Sequence, residues 1–264
     1  MHRVFWSLAF LLAILAVRRQ WAWMAQVGRQ PRVLGAFLAS SLLLSINWVI
    51  YIWSIANGHV VDASLGYFMT PLVNVALGCT ILHERLRRAQ WLALTLAVLG
   101  VLWLTVQAGQ LPWIGLVIAT SFGIYGLLRK IATLGALEGL TLETLILTPA
   151  AVIAIALLWS HGQTTFPSDD SATNLWLVGV GPITAVPLLL FAAGARRLSM
   201  VTLGVLQYLS PTLQFMLGVW VFHEPFPAQR LVGFAFIWAA LVLYSADGWR
   251  ASRRAVVPIV PLAG

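Results

Sequence analysis

Nine apolar runs follow one another along the chain, at about residues 4–17, 33–53, 61–82, 91–107, 112–128, 142–160, 174–195, 200–222 and 230–248. A bilayer core about 30 Å thick takes roughly 20 apolar residues of helix. In lipid every backbone polar group must be bonded within its own segment, so runs of this length are helices. Short polar or basic stretches separate them: Arg18-Arg19 to Arg32, Asn57-Gly58, Glu84 to Arg88, Gly109 to Pro112, Arg129 to Gly139, 161–173, Arg196-Arg197, and Pro225 to Arg230. The pattern predicts an all-α polytopic membrane protein, a bundle of about nine transmembrane helices whose solvent is the lipid bilayer.

Composition agrees. Only 9% of residues are charged and 60% are hydrophobic, against about 25% charged in soluble domains. The net charge of +8 does not point to nucleic acid, because the basic residues sit in clusters between apolar runs and not on a continuous stripe. Cys79 is the single cysteine, which rules out a disulfide framework or a thiolate metal site within one chain. Neither an HExxH nor a Walker-type motif occurs. No metal, cofactor or nucleic-acid partner is expected.

Charge also orients the spans. If 18–32 is cytoplasmic, the Arg and Lys residues at 18, 19, 29, 32, 85, 87, 88, 129, 130, 196, 197, 250, 253 and 254 share that side, against Arg3 and Arg230 opposite. This is a strong positive-inside asymmetry and puts the C-terminus in the cytoplasm.

One segment is spelled twice. Residues 65–84 read LGYFMTPLVNVALGCTILHE and residues 203–224 read LGVLQYLSPTLQFMLGVWVFHE. Pro71 to Gly78 and Pro211 to Gly218 are both seven residues, and Pro71 to Glu84 and Pro211 to Glu224 both thirteen. By the charge rule the first copy runs inward and the second outward, as in the inverted-topology repeats of secondary transporters. The expected organisation is a first repeat over 1–108 with four helices, a second over 109–250 with five in the opposite sense, and a cytoplasmic tail over 251–264. Parity wants five plus five, so the first repeat is one helix short at the N-terminus. A signal peptide is the rival account of the 14-residue first run, but Arg18-Arg19 directly after it and the lack of an A-x-A site argue against that.

The chain resembles the EamA-type transporters of the drug/metabolite transporter superfamily, over essentially its whole length. Asn47-Trp48 with Tyr51-Ile52-Trp53, Ala63 to Phe68 with Pro71-Leu72, Glu84-Arg85, Gln90-Trp91, Ser121-Phe122, Tyr125-Gly126 and Arg129-Lys130 carry the first part of the likeness. Thr184, Pro187-Leu188, Ser199, Thr202 to Gly204, Gln207-Tyr208 and Pro211-Thr212 carry the rest. The resemblance implies ten helices in two inverted five-helix halves, a bacterial inner-membrane location, and transport without ATP. Two departures stand out: the family's first helix is absent, and Asp62 stands where a longer Glu is expected.

Pro71 and Pro211 remove a backbone donor, so each helix should kink or unwind locally, as broken helices beside midplane transport sites do. Polar residues flank both prolines: Tyr67, Thr70 and Asn74 in the first copy, Gln207, Tyr208, Ser210 and Gln214 in the second. Asn47 with Tyr51, and Ser121 with Tyr125, are pairs four residues apart that each share a helix face. Hydroxyls and amides among aromatic walls suit a mostly apolar small-molecule substrate, and all eleven are candidate substrate-binding residues. Taken singly, such residues also serve as glue between helices, worth about 1 kcal/mol each.

Asp62 reads first as the N-cap of the third span and, alternatively, as a proton-coupling carboxylate with His59 nearby. Glu143 opens the sixth span with the same ambiguity. Glu84 and Glu224 end their helices against the dipole, so each is expected to accept hydrogen bonds from the N-terminus of the next helix and pin the turn. The functional expectation is a secondary-active transporter of small organic metabolites or drugs, working by alternating access. The alternatives are a membrane-embedded enzyme acting on lipid and an inactive truncated paralogue. No catalytic dyad supports the enzyme.

Overall fold

The structure is a computed structural model. It describes the chain apart from residues 20, 110–111, 163–165, 167–169, 221–227 and 256–264, and apart from the side chains of 61, 214, 215, 217–219, 228, 230, 252, 254 and 255. The described residues form α1 (His2–Arg18), α2 (Ala22–Val27), α3 (Pro31–Ala56), α4 (Val60–Thr80), α5 (Arg88–Ala108), α6 (Trp113–Ile131), α7 (Ala136–Ser160), α8 (Ser171–Arg197), α9 (Met200–Gln207), α10 (Leu209–Trp220) and α11 (Ala228–Ala255). No strand occurs among them. Among the described residues every expected span falls largely on helix, and six helices are long and apolar enough to cross a membrane by length and composition: α3, α5, α6, α7, α8 and α11. Residues 221–222 of the eighth span lie outside the described residues.

Helix ends follow local chemistry. Pro31 opens α3, where its missing N–H matters least. Gly109 closes α5 at φ 73°, a backbone conformation that glycine adopts without strain. Asp170 and Ser199 cap α8 and α9 through side-chain oxygens. The lipid-facing surface is visible on α8, where Leu175, Trp176, Ile183 and Leu190 are each more than 60% exposed. Such a stripe would be an aggregation hazard in water and is ordinary in lipid.

Three features differ from expectation, the first being α2, a short helix inside the stretch from Arg18 to Arg32 expected to separate the first two spans. The loop predicted from Arg129 to Gly139 shrinks, because α6 continues to Ile131 and α7 begins at Ala136. Arg129 is therefore helical and 1% exposed. The physical reason is that its charge is met internally, by Glu143 and by backbone carbonyls. α11 likewise runs on to Ala255, into the stretch expected to be tail.

The helices group into two compact units. One comprises Met1–Asn47 and Ile124–Leu198, the other Trp48–Gly123 and Ser199–Gly264. In the first, α1 lies close on α8. Ser7 Oγ donates to Gly181 O at 3.1 Å, and a Cβ on Gly181 would lie 2.4 Å from the Trp6 backbone. In the second, α5 and α11 meet through Gly100 and Gly233, where a Cβ on Gly100 would lie 2.7 Å from Gly233 O. Small residues at crossings are how helices associate where no water drives burial. The apolar core of this unit includes Leu65, Phe68, Val101, Tyr208, Phe234 and Ile237.

The two proline segments, both in the second unit, fold differently. α4 runs through Pro71 as one helix, and Thr70 Oγ1 donates to Gly66 O at 2.8 Å beside the lost ladder bond. The second copy is divided at Tyr208 into α9 and α10. There Thr212 Oγ1 donates to Tyr208 O at 2.8 Å, so a hydroxyl again meets a carbonyl near the proline.

Candidate functional site

In the second unit α4 is gripped from two sides. A Cβ on Gly66 would lie 2.9 Å from the Ile118 side chain of α6, and one on Gly204 of α9 would lie 2.7 Å from Pro71 O. The absence of side chains at these positions draws α4 and α9 together around the proline. Asn74 on α4 thereby reaches Gln207 at the end of α9: its Nδ2 donates to Gln207 Oε1 at 2.6 Å. Asn74 is fully buried, and its Oδ1 has no hydrogen-bond partner among the described atoms. The Tyr208 hydroxyl is likewise buried and without a partner there. A small apolar cavity adjoins Tyr208, lined by Leu72, Val75, Ala97, Val205, Leu241 and Tyr244 among others.

The other candidates in this unit have more local partners. Tyr51 and Tyr67 pack edge to face at 5.7 Å. Thr70 and Ser121 donate to carbonyls of their own helices, Ser121 Oγ to Ile118 O at 3.1 Å. Ser210 is exposed. The side chain of Gln214, and Glu224 altogether, lie outside the described residues. Pro71 is buried in α4 and Pro211 in α10.

Asp62 is not the cap of α4. That position is His59, and Asp62 stands three residues on, in the first helical turn. There it pairs with His59 Nδ1 at 3.3 Å, and His59 stacks on Trp53 at 5.6 Å. The first turn holds Asp62 because α4 begins one residue before Val61, so the carboxylate still favours the helix N-terminus by charge.

Glu84 follows a turn in which His83 adopts φ 56° and Glu84 N–H donates back to Gly78 O at 2.9 Å. Its carboxylate does accept from a helix N-terminus, but from α9 and not from the next helix, α5. Met200 N–H donates to Oε1 at 2.7 Å and Val201 N–H to Oε2 at 3.0 Å. α5 is instead capped within itself, Gln90 Oε1 accepting from Arg87 N–H at 2.9 Å. Together with Ser199 Oγ, which accepts from Thr202 N–H at 3.1 Å, Glu84 satisfies the orphan donors of α9.

Asn47 and Tyr125 belong to the first unit. Asn47 is buried in α3. Tyr125 is fully buried, and its hydroxyl donates to Glu143 Oε2 at 3.3 Å. Glu143, seven residues inside α7 and fully buried, also receives Ser40 O–H on Oε1 at 2.6 Å and faces Arg129 Nη1 at 3.8 Å. The sequence marked Glu143 as ambiguous but placed Arg129 in a loop. The spacing from 129 to 143 spans a turn, so no helical period links the two. Among the described residues no group of three or more His, Cys, Asp and Glu comes together to hold a metal.

The chain matches the model of the EamA-like transporter family twice, over residues 1–106 and 111–246. It is 47% identical over 254 residues to "Protein RarD" of Streptomyces exfoliatus, covering 96% of this chain and 80% of that protein. It is 45% identical over 260 residues to an uncharacterized transporter of Pseudomonas aeruginosa, covering 97% and 86%. A solved structure titled "Crystal structure of protein" shares the fold with a TM-score of 0.66 at 19% identity, covering 95% of this chain and 87% of that one. The chain is a multi-pass membrane protein and belongs to the EamA-like transporter family.

Proposed function

We propose that the protein is a secondary-active transporter of small organic metabolites or drugs, working by alternating access in the bacterial inner (plasma) membrane with its C-terminus cytoplasmic. The paired matches to the family and the transporter names of its relatives favour transport over catalysis. The observation that carries the reading is the Asn74–Gln207 bond. It joins the two proline-bearing segments through neutral amides and leaves Asn74 Oδ1 buried and without a hydrogen-bond partner among the described residues. A buried acceptor without a partner is costly, and a donor on a bound substrate would satisfy it. The apolar wall beside Tyr208 and the ring pair Tyr51–Tyr67 suit a largely apolar substrate fixed by a few directional bonds. The family match in two halves and the twice-written proline segment support two inverted repeats over 1–108 and 109–250.

Proteoliposomes holding the full chain and no nucleotide, tested with labelled pools of amino acids, metabolites and drugs, give the test. At least one labelled compound should accumulate down an imposed gradient. Gln207→Ala and Tyr67→Ala should lower that flux about three- to tenfold, the equivalent of one membrane-buried hydrogen bond, while insertion stays normal. Absence of flux for every pool would reject the reading. Loss of the variants from the membrane would assign both residues to packing.

A further inference from the structure

We infer that Glu143 is a proton-binding site, a carboxyl built to exist in both protonation states inside the helix bundle, and that its proton uptake is linked to the transport cycle. The binding itself is independent of the transport reading; the linkage rests on it.

Ser40 makes the case. Its hydroxyl lies 2.6 Å from Glu143 Oε1 and 3.1 Å from Phe37 O, yet carries one proton. With Glu143 ionised, that proton points to Oε1. With Glu143 protonated, the new O–H donates to Ser40 Oγ, and the Ser40 proton turns to Phe37 O. Both arrangements leave every one of these groups bonded, and neither moves a heavy atom. The bound proton resides on Oε1, and its release returns the Ser40 hydroxyl to the carboxylate.

Arg129 is arranged to permit this. A locked ion pair would put guanidinium N–H groups within 3 Å or so of the carboxylate, often two at once. Here Nη1 stays 3.8 Å away and makes no hydrogen bond among the described atoms. Nη2 donates instead to Ala136 O at 3.0 Å and Gly135 O at 3.4 Å. The guanidinium also lies 5.4 Å from the Phe37 ring centroid. The space it fills exists because residue 139 is glycine: a Cβ there would lie 1.9 Å from Nη1. Arg129 thus keeps its own partners whichever state Glu143 takes.

The groups facing Glu143 are few. From α6 they are Arg129 and Tyr125, whose ring stacks on Phe191 of α8 at 6.0 Å. From α3 they are Ser40 and Ser41, the latter donating to Phe37 O at 2.8 Å. α1 meets α7 through the apolar Leu11–Leu140 contact. Lys130, next to Arg129, is turned to the end of α8, where its Nζ donates to Leu198 O. Intramembrane carboxylates in such settings serve as proton relays.

Infrared titration of the purified full chain in lipid reads the proton directly. A protonated-carboxyl C=O band should be present at low pH and be lost as pH rises, as a carboxyl releases its proton. It should vanish in Glu143→Gln and persist in Asp62→Asn. Ser40→Ala removes a charge-assisted donor to the ionised form and a weaker, neutral bond to the protonated one, so it should raise the midpoint by about half a unit to one unit. A band that survives Glu143→Gln, or a midpoint unmoved by Ser40→Ala, would overturn the site. Flux in proteoliposomes then tests the linkage: wild type should be accelerated by a proton gradient and Glu143→Gln should not. Equal response of the two breaks the linkage. No flux in either, with the band intact, removes the transport reading and leaves the proton site standing.

Discussion

The two units solve the same problem, polar groups inside a lipid-embedded bundle, with different chemistry. The unit of Met1–Asn47 and Ile124–Leu198 buries full charges: Arg129 at 1% exposure and Glu143 at 0%. The unit of Trp48–Gly123 and Ser199–Gly264 buries amides and a phenol at its proline segments; Glu84 and the buried Asp62 stand at helix ends and Asp247 within α11. Its Asp247 meets Arg87 at 2.8 Å where Arg87 is half exposed. A buried charge is expensive to desolvate, and a neutral amide pair is not. The first unit thus holds the buried pair of Arg129 and Glu143, where the proton site is proposed, and the second the amide contact of Asn74 and Gln207.

Breaking the charged core should give the largest effect. Arg129→Met leaves Glu143 without its counter-charge, a change that typically costs about 3–5 kcal/mol for a buried pair. Folded protein recovered from the membrane, and its thermal midpoint in detergent, should both fall sharply. Adding Glu143→Gln should restore most of the loss, because the uncompensated charge is then gone. A single variant as stable as wild type would show that a bound proton or water, not Arg129, neutralises Glu143, and the contrast between the units would fail.

The second unit should lose less from its own carboxylate. Glu84→Ala removes the acceptor for Met200 and Val201 N–H. Hydrogen bonds to charged groups contribute about 1.5–3 kcal/mol each when buried. Glu84 is only half-buried, so solvent screening brings the expected total to roughly 1–2 kcal/mol. Amide exchange should quicken first at the start of α9. Glu84→Gln keeps one acceptor oxygen and should fall between alanine and wild type. If exchange quickens at α5 and not at α9, the bond across 116 residues is not what holds Glu84.

Much of this was legible in the sequence. Apolar run length and punctuation located the long helices, since both express the backbone's need for internal bonds in lipid, but not α2, which lies in a stretch read as a separator, nor the division of the eighth span into α9 and α10. The twinned proline segments pointed to Asn74 and Gln207, which the fold joins. What the sequence hid is the partner of each long-range contact. That Glu84 must accept N–H groups follows from its place; that they are those of α9 depends on Gly204 letting α9 approach α4. Arg129 was misplaced because counting charges in loops treats every Arg as solvated, whereas Gly139 makes room for this one inside. Asp62 shifted from cap to first turn for a lesser reason, the usual uncertainty of a residue or two at helix ends.

The smallest effect tests the contrast at a third carboxylate. Asp170 caps α8 of the first unit from its own loop, Oδ1 accepting from Ala172 N–H at 3.1 Å and Oδ2 from Thr173 N–H at 3.0 Å and from the Thr173 hydroxyl. The Thr173 hydroxyl bond and the two backbone bonds hold its carboxyl below the ordinary carboxylate value. Because the folded form prefers the ionised state, the cap's contribution is complete above the unfolded value near pH 4. It is lost as pH falls through the lower folded value. Exchange at the Ala172 and Thr173 amides should therefore stay protected at neutral pH and open only in strong acid. Asp170→Asn should keep the cap and abolish the acid step, since Asn caps as well as Asp. Asp170→Ala should expose both amides at every pH. Unlike those of Glu84, the cap bonds of Asp170 to Ala172 and Thr173 are made to neighbours in the chain, so their loss should leave the Glu143 titration unmoved. A shifted Glu143 midpoint in Asp170→Ala would mean that the first unit's charges act as one network and not as independent sites.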